Sequence, residues 1–200
     1  MEEKGQNPKK VKGEVKNPLH KKGSAGKSPS ERTALFILGI AGWFRSIFGS
    51  TPAHLPHGQA FQHSGRKLPP GKAVRYPSIL LVEDNPGIAA GFIEAIRNYY
   101  VFGTIQILVA HTYGSAVTFF ENDDVELVIM DADLDDEDGD GATLTLKFLD
   151  AKPKITILAN SSNMISNLKL SGFGASETLG KNPEKLKSWL LKHDPTGQTG

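Results

Sequence analysis

The stretches Ile79-Leu80-Leu81-Val82-Glu83-Asp84 and Leu127-Val128-Ile129-Met130-Asp131 decide the fold of this chain. Each joins four apolar, mostly branched residues to an abrupt carboxylate. Runs of that length and composition mark short strands buried on both faces, as in a parallel sheet. A buried parallel strand that stops at an acid delivers that acid to the carboxyl edge of the sheet. Open α/β folds bind ligands at that edge, where the strand order reverses. Three carboxylates held together there repel one another by roughly 1 kcal/mol per pair in water, and by more at lower dielectric. A bound Mg²⁺ is the simplest counter-charge.

Outward from these runs the chain alternates between two periodicities. Strands are predicted over 78–82, 104–110, 126–130, 154–159 and 176–179, and helices over 86–100, 114–122, 142–149, 162–171 and 183–193. In the first helix Ile88, Ala89, Phe92, Ile93 and Ile96 repeat at helical spacing. Asn85 or Asp84 can cap it, with Pro86 in the first turn. In the last helix Leu186, Trp189 and Leu190 face inward while Lys185, Lys187 and Lys192 face out. Five such βα units predict a doubly wound, five-stranded parallel sheet with right-handed crossovers. With strand order 2-1-3-4-5, the first and third of these strands are neighbours at the switch point, and Glu83, Asp84 and Asp131 converge.

Charge divides the chain. Residues 1–75 hold 14 Lys/Arg and 4 acids, whereas residues 76–200 hold 9 and 18, within an overall net charge of +1. An acidic globular domain carrying a basic arm is expected. Residues 1–32 are too polar to offset their ordering entropy and read as a disordered basic tail. Residues 33–50 form a hydrophobic segment suited to a helix, but its apolar run before Arg45 is too short for the ~20 residues that span a bilayer. Residues 34–49 could dock on the domain or a partner, or associate weakly with a membrane surface. Residues 51–75, with four Pro and three His, read as an irregular linker. Residues 76–194 form the domain and 195–200 a tail. The absence of cysteine excludes disulfides, thiolate metal sites and cysteine nucleophiles, and fits a cytoplasmic protein, with peripheral membrane association as a further expectation. The arm has no aromatic residue before Phe36 and no DNA-binding motif, so a nucleic-acid partner is not expected.

Over residues 76–193 the chain resembles the receiver domain of two-component response regulators. The matching pieces are Leu80-Leu81-Val82-Glu83-Asp84-Asn85, then Leu127-Val128-Ile129-Met130-Asp131-Ala132-Asp133-Leu134, then Gly174-Ala175 and Leu179-Gly180-Lys181. The resemblance implies a flavodoxin-like fold and a phosphorylation-dependent signalling module. It implies that Asp131 accepts a phosphoryl group, that Glu83, Asp84, Asp131 and the backbone carbonyl of Asp133 hold Mg²⁺, and that Lys181 pairs with the phosphoryl oxygens. A histidine kinase or phosphotransfer protein would supply the group, and an effector protein of unknown identity would read it. Turnover would be limited to self-phosphorylation from a phosphodonor and autodephosphorylation.

The chain departs from that pattern at defined places. Ala159 stands where the family carries a hydroxyl, and Ser161 lies two residues later as the candidate substitute. Thr178 stands where an aromatic is expected, and Asn182 where a proline follows the lysine. The loop 134–141 is longer than usual, and its acids read as solvated. These departures leave two alternatives open, a pseudo-receiver that does not cycle phosphate and a membrane-recruited adaptor. Asp131-x-Asp133-x-Asp135 opens like a calcium-binding EF-hand loop, but Asp136 occupies the position that requires Gly and no Glu lies at position twelve. Phosphatase and nucleotide-sugar transferase readings of the same acids lack a phosphate-binding glycine loop.

Overall fold

The computed structural model describes residues 58–198, so the readings made for 1–32, 33–50 and 51–57 lie outside the described residues. A six-stranded sheet runs in the order β1-β3-β2-β4-β5-β6. Its strands are β1 (Gly58–Ser64), β2 (Ser78–Val82), β3 (Thr104–Ala110), β4 (Leu127–Met130), β5 (Thr156–Ala159) and β6 (Glu177–Thr178). The helices are α1 (Pro86–Tyr99), α2 (Tyr113–Asn122), α3 (Gly141–Ala151), α4 (Met164–Gly172) and α5 (Pro183–His193). The five strands from β2 onward are all parallel and take the doubly wound order predicted from the sequence. The fold is flavodoxin-like.

The central strands are apolar on both faces because helices cover both. Ile79 and Leu81 of β2 pack with Phe92 and Ile96 of α1 and Leu186 and Leu190 of α5. Leu80 and Val82 point the other way, toward Ala116, Leu144, Phe148 and Leu170 from α2, α3 and α4. Burying each such side chain stabilises the fold by about 1.5–3 kcal/mol. Local caps set where the helices begin. Asn85 accepts from the amides of Gly87 and Ile88, Thr112 and Ser115 form a capping box, and Asp140 accepts from Thr143. The loop before α3 is therefore not merely solvated: besides the Asp140 cap, Asp136 accepts from the Tyr113 amide at 2.6 Å.

The sheet holds one strand more than the sequence suggested. Within the stretch read as irregular linker, Gly58–Ser64 pairs antiparallel with β3, from Gly58 opposite Ala110 to Ser64 opposite Thr104. It covers an edge that would otherwise present unpaired backbone groups. Phe61 packs against the core with the Arg97 guanidinium 5.3 Å over its ring, and His63 Nε2 lies 2.9 Å from the Tyr100 carbonyl. Most of the strand is exposed or half-buried, so its sequence carries little hydrophobic alternation.

Residues 195–198, within the stretch read as tail, turn back onto the domain, the Gly197 carbonyl accepting from the amides of Val101 and Phe102. Buried Asp194 accepts from the amides of Arg75 and Tyr76 and from the hydroxyls of Tyr100 and Thr196. The Tyr99 hydroxyl donates to the Asp194 carbonyl at 2.7 Å. Burial, with the charge of Asp194, raises the pKa of Tyr100 and pushes that of Tyr99 up to about 12, so both phenols stay protonated as donors. Among the described residues no helix is long and apolar enough to cross a membrane. Replacing Asp194 orphans several buried donors at once. Asp194→Ala should lower stability by about 2–4 kcal/mol in urea denaturation, and a loss below about 1 kcal/mol would mean that water replaces the carboxylate.

Candidate functional site

The parallel ladder continues one step past each strand and so fixes the site. The amide of Glu83 donates to Ala110, that of Asp131 to Val82, and that of Asn160 to Met130, at 3.0, 2.9 and 2.8 Å. Glu83, Asp131 and Asn160 thus stand side by side at the carboxyl edge, each completely buried. Asp84 follows Glu83 and is half-buried, its Oδ2 accepting from the Asp135 amide at 3.2 Å. One carboxylate oxygen from each of Glu83, Asp84 and Asp131 lies within 4.8 Å of the others. The convergence read from the sequence is present.

Lys181 enters this cluster directly. Its Nζ donates to Asp131 Oδ2 at 2.7 Å and to Glu83 Oε1 at 2.9 Å, with the lysine side chain only 18% exposed and both acids at 0%. The ammonium itself thus offsets the repulsion for which the sequence had suggested a metal. Burial alone would lower the Lys181 pKa, but the hydrogen bonds and charges of Asp131 and Glu83 outweigh it and the pKa is raised. For Glu83 the balance goes the other way. Burial dominates, Asp131 adds to it, and the opposing contacts from Lys181 and the Asn85 amide do not compensate, so the carboxyl is pushed up to about 7. Lys181 sits at φ +53°, just after Gly180 at φ +66°. A lysine in the left-handed region costs about 1–2 kcal/mol, strain held here by its contacts.

The remaining sequence candidates lie around this centre. The Asp133 amide donates to Asp131 Oδ1 at 3.1 Å, which seats the segment after β4 against the acid. The Asp133 carboxylate is tied elsewhere, to the hydroxyls of Ser161 at 2.5 Å and Ser166 at 2.7 Å. Ser161 is buried, and its hydroxyl is directed to Asp133 rather than Asp131 while accepting from the Asn163 amide. Ala159 and Thr178 face each other in the β5–β6 pairing. Asn182 caps α5 by accepting from Glu184 at 2.9 Å. Gly141 permits close packing, since a Cβ there would collide with the Asp131 carbonyl oxygen.

Two neighbours of the site escaped the sequence reading. His111 Nδ1 lies 2.8 Å from the Glu83 carbonyl oxygen. Asn160 donates from Nδ2 to Glu83 Oε2 at 3.2 Å and accepts at Oδ1 from the Lys181 amide at 2.9 Å. The signal for Asn160 was available, because it ends the apolar run of β5 as Asp131 ends that of β4. Chemically, the donor set suits Mg²⁺, which takes one or two carboxylates and keeps several waters.

Residues 79–190 match the response regulator receiver domain family. Among solved structures, NtrX from Brucella abortus is 18% identical over 62% of this chain and 28% of its own, with a TM-score of 0.52. A CheY-like response regulator receiver domain protein from Methanospirillum hungatei JF-1 is 19% identical over 60% of this chain and 95% of its own, with a TM-score of 0.47. The response regulator DrrB from Thermotoga maritima is 20% identical over 57% and 51%, with a TM-score of 0.46. At these identities the likeness concerns the fold alone. No curated protein matches in sequence.

The Glu83 environment has a pH signature. Its folded pKa of about 7 lies above the ordinary 4.5, so the folded state holds this proton more tightly than the unfolded chain. The resulting stabilisation is fully present below pH 4.5 and is lost as pH rises through about 7. The loss is on the order of 3 kcal/mol at most, from about 1.4 kcal/mol per pH unit. Urea melts in chelator between those limits should show wild type losing stability relative to Glu83→Gln. Parallel profiles for the two proteins would place the raised carboxyl elsewhere.

Proposed function

The chain belongs to the response regulator receiver domain family, and on that premise we propose that it is a signalling receiver that accepts a phosphoryl group on Asp131. The observation that carries this reading is the 2.7 Å contact of the Lys181 ammonium with Asp131 inside the acid cluster. A cation there can follow charge onto a phosphoryl group bonded to Asp131 and stabilise it by charge-assisted hydrogen bonds. An Asp131 carboxylate oxygen attacks phosphorus as the bond to the donor breaks, and the bonding pair leaves with the donor. For a phosphohistidine donor, an N–P bond is exchanged for an O–P bond and the imidazole leaves neutral once protonated. The product is an aspartyl phosphate, a covalent intermediate on this chain.

In this reading Glu83, Asp84, Asp131 and the Asp133 carbonyl hold Mg²⁺, which when bound neutralises charge on the phosphoryl oxygens. Lys181 orients Asp131 through its contact with Oδ2. The Asp133 amide holds the second oxygen of Asp131. Ser161 joins only by exchanging its Asp133 partner for the phosphoryl group, so its part in catalysis is minor. A histidine kinase or phosphotransfer protein supplies the group, and an effector protein reads the product through direct contact. Cytoplasmic residence follows from those partners.

One observation favours the pseudo-receiver. Asp131 is completely buried, and both of its carboxylate oxygens are already engaged, one by Lys181 and one by the Asp133 amide. An interaction module with a permanently closed site has that arrangement. Intact-mass measurement separates the two readings. Acetyl phosphate or phosphoramidate with Mg²⁺ should add one phosphoryl group to the full chain, and Asp131→Asn should abolish the addition. Ser161→Ala should change the labelling rate by about twofold or less, consistent with a hydroxyl engaged elsewhere. A wild-type mass that never moves favours the pseudo-receiver.

A further inference from the structure

We propose that Asn160 is a positioning residue of this site, whose carboxamide holds Lys181 in its left-handed turn and orients Glu83 at the same time. The inference rests on the phosphoacceptor reading above for its functional meaning, and on the geometry alone for the contact itself.

The Asn160 side chain is completely buried at the end of β5, between the acid that ends β2 and the backbone that follows β6. The Lys181 amide can only donate, so the Asn160 oxygen must face it, at 2.9 Å. The Asn160 nitrogen then faces Glu83 Oε2, which can only accept when ionised, at 3.2 Å. Glu83 Oε1 takes the Lys181 ammonium at 2.9 Å. Glu83, Asn160 and the backbone and ammonium of Lys181 thus close a ring in which each contact limits the others. No shorter side chain spans both partners, and an apolar one orphans two buried polar groups.

The ring matters because little else fixes the Lys181 backbone. Gly180 and Lys181 are both left-handed, a turn that glycine adopts freely and lysine does not. The next side chain, Asn182, is spent on capping α5. The Asn160 oxygen therefore binds the Lys181 backbone at its strained residue, and it is from that conformation that the ammonium reaches Asp131. Asn160 does not touch the acceptor oxygens in this arrangement; it acts through Lys181 and Glu83.

The test uses the full chain and two readouts. The first is hydrogen exchange of the Lys181 amide by NMR, which does not depend on phosphorylation. Asn160→Ala should speed that exchange by about tenfold or more while amides of β2 and β4 keep their protection. The second is the rate of acetyl phosphate labelling at saturating Mg²⁺. Asn160→Ala should slow it by about tenfold, as for loss of one buried hydrogen-bond partner. Added to Lys181→Ala, the same change should slow it by clearly less than tenfold, because the part of its effect that runs through that lysine is already lost. Unchanged Lys181 exchange, an unaffected labelling rate, or full multiplication of the two effects would each overturn the proposal. Should Asn160→Ala fail to fold, Asn160→Ser decides: it keeps a polar group but is too short to span both partners, so Lys181 exchange should again speed about tenfold, and exchange within about twofold of wild type refutes the assignment. If wild type itself is never labelled, the phosphoacceptor reading falls while the exchange measurement still judges Asn160.

Discussion

The Lys181 ammonium shared between Glu83 and Asp131 is the contact on which this site depends. Two buried carboxylates with oxygens within 4.8 Å of each other repel by roughly 3–4 kcal/mol at an effective dielectric near 20. Without a cation the pair would have to bind a proton, move apart or admit water. One lysine relieves much of this at two contacts of 2.9 and 2.7 Å, leaving Glu83 raised to about 7, and its backbone is bent into the left-handed region at that point. Strain, burial and charge therefore occur at the same residue. The third acid, Asp84, stays half-buried and is satisfied through the Asp135 amide rather than through Lys181.

Much of this was legible in the sequence because the β2 and β4 runs are unambiguous. Buried parallel strands must be apolar on both faces, so their ends stand out when an acid follows. The five parallel strands came from that pattern, and the meeting of Glu83 with Asp131 followed once the 2-1-3-4-5 order of such sheets was taken. The edge strand β1 was hidden for the opposite reason. With Gln59, Gln62, His63 and Ser64 along it and only Phe61 turned to the core, it carries the composition of a loop. Its strand character comes from pairing with β3, and single-sequence patterns do not record a partner. The role of Asp194 was obscured in the same way, since its contacts with Arg75, Tyr99 and Tyr100 are 94 to 119 residues away in the chain.

The departures from the family pattern are compensated locally. Where a proline would stiffen the turn after Lys181, Asn182 instead caps α5, and Asn160 restrains the turn from β5. Where a hydroxyl would end β5, Ala159 fits under the sheet and polarity shifts one residue on to Asn160 and two on to Ser161. The Ser161 hydroxyl is committed to the Asp133 carboxylate, which also takes Ser166 of α4. The loop after β4 is thereby tied by Ser166 to α4 and by Ser161 to the turn before it.

The antiparallel sense of β1 decides which of its ends lies beside the acids. A domain beginning at β2 would receive its preceding chain at the amino edge of the sheet, remote from Asp131. Here Gly58 pairs with Ala110, whose carbonyl accepts the Glu83 amide, so the attachment point lies on the carboxyl edge. Gly58 is therefore held beside the strand ends that carry the acids. A sheet-edge strand with no chemistry of its own thus shields the β3 backbone up to the rim of the site.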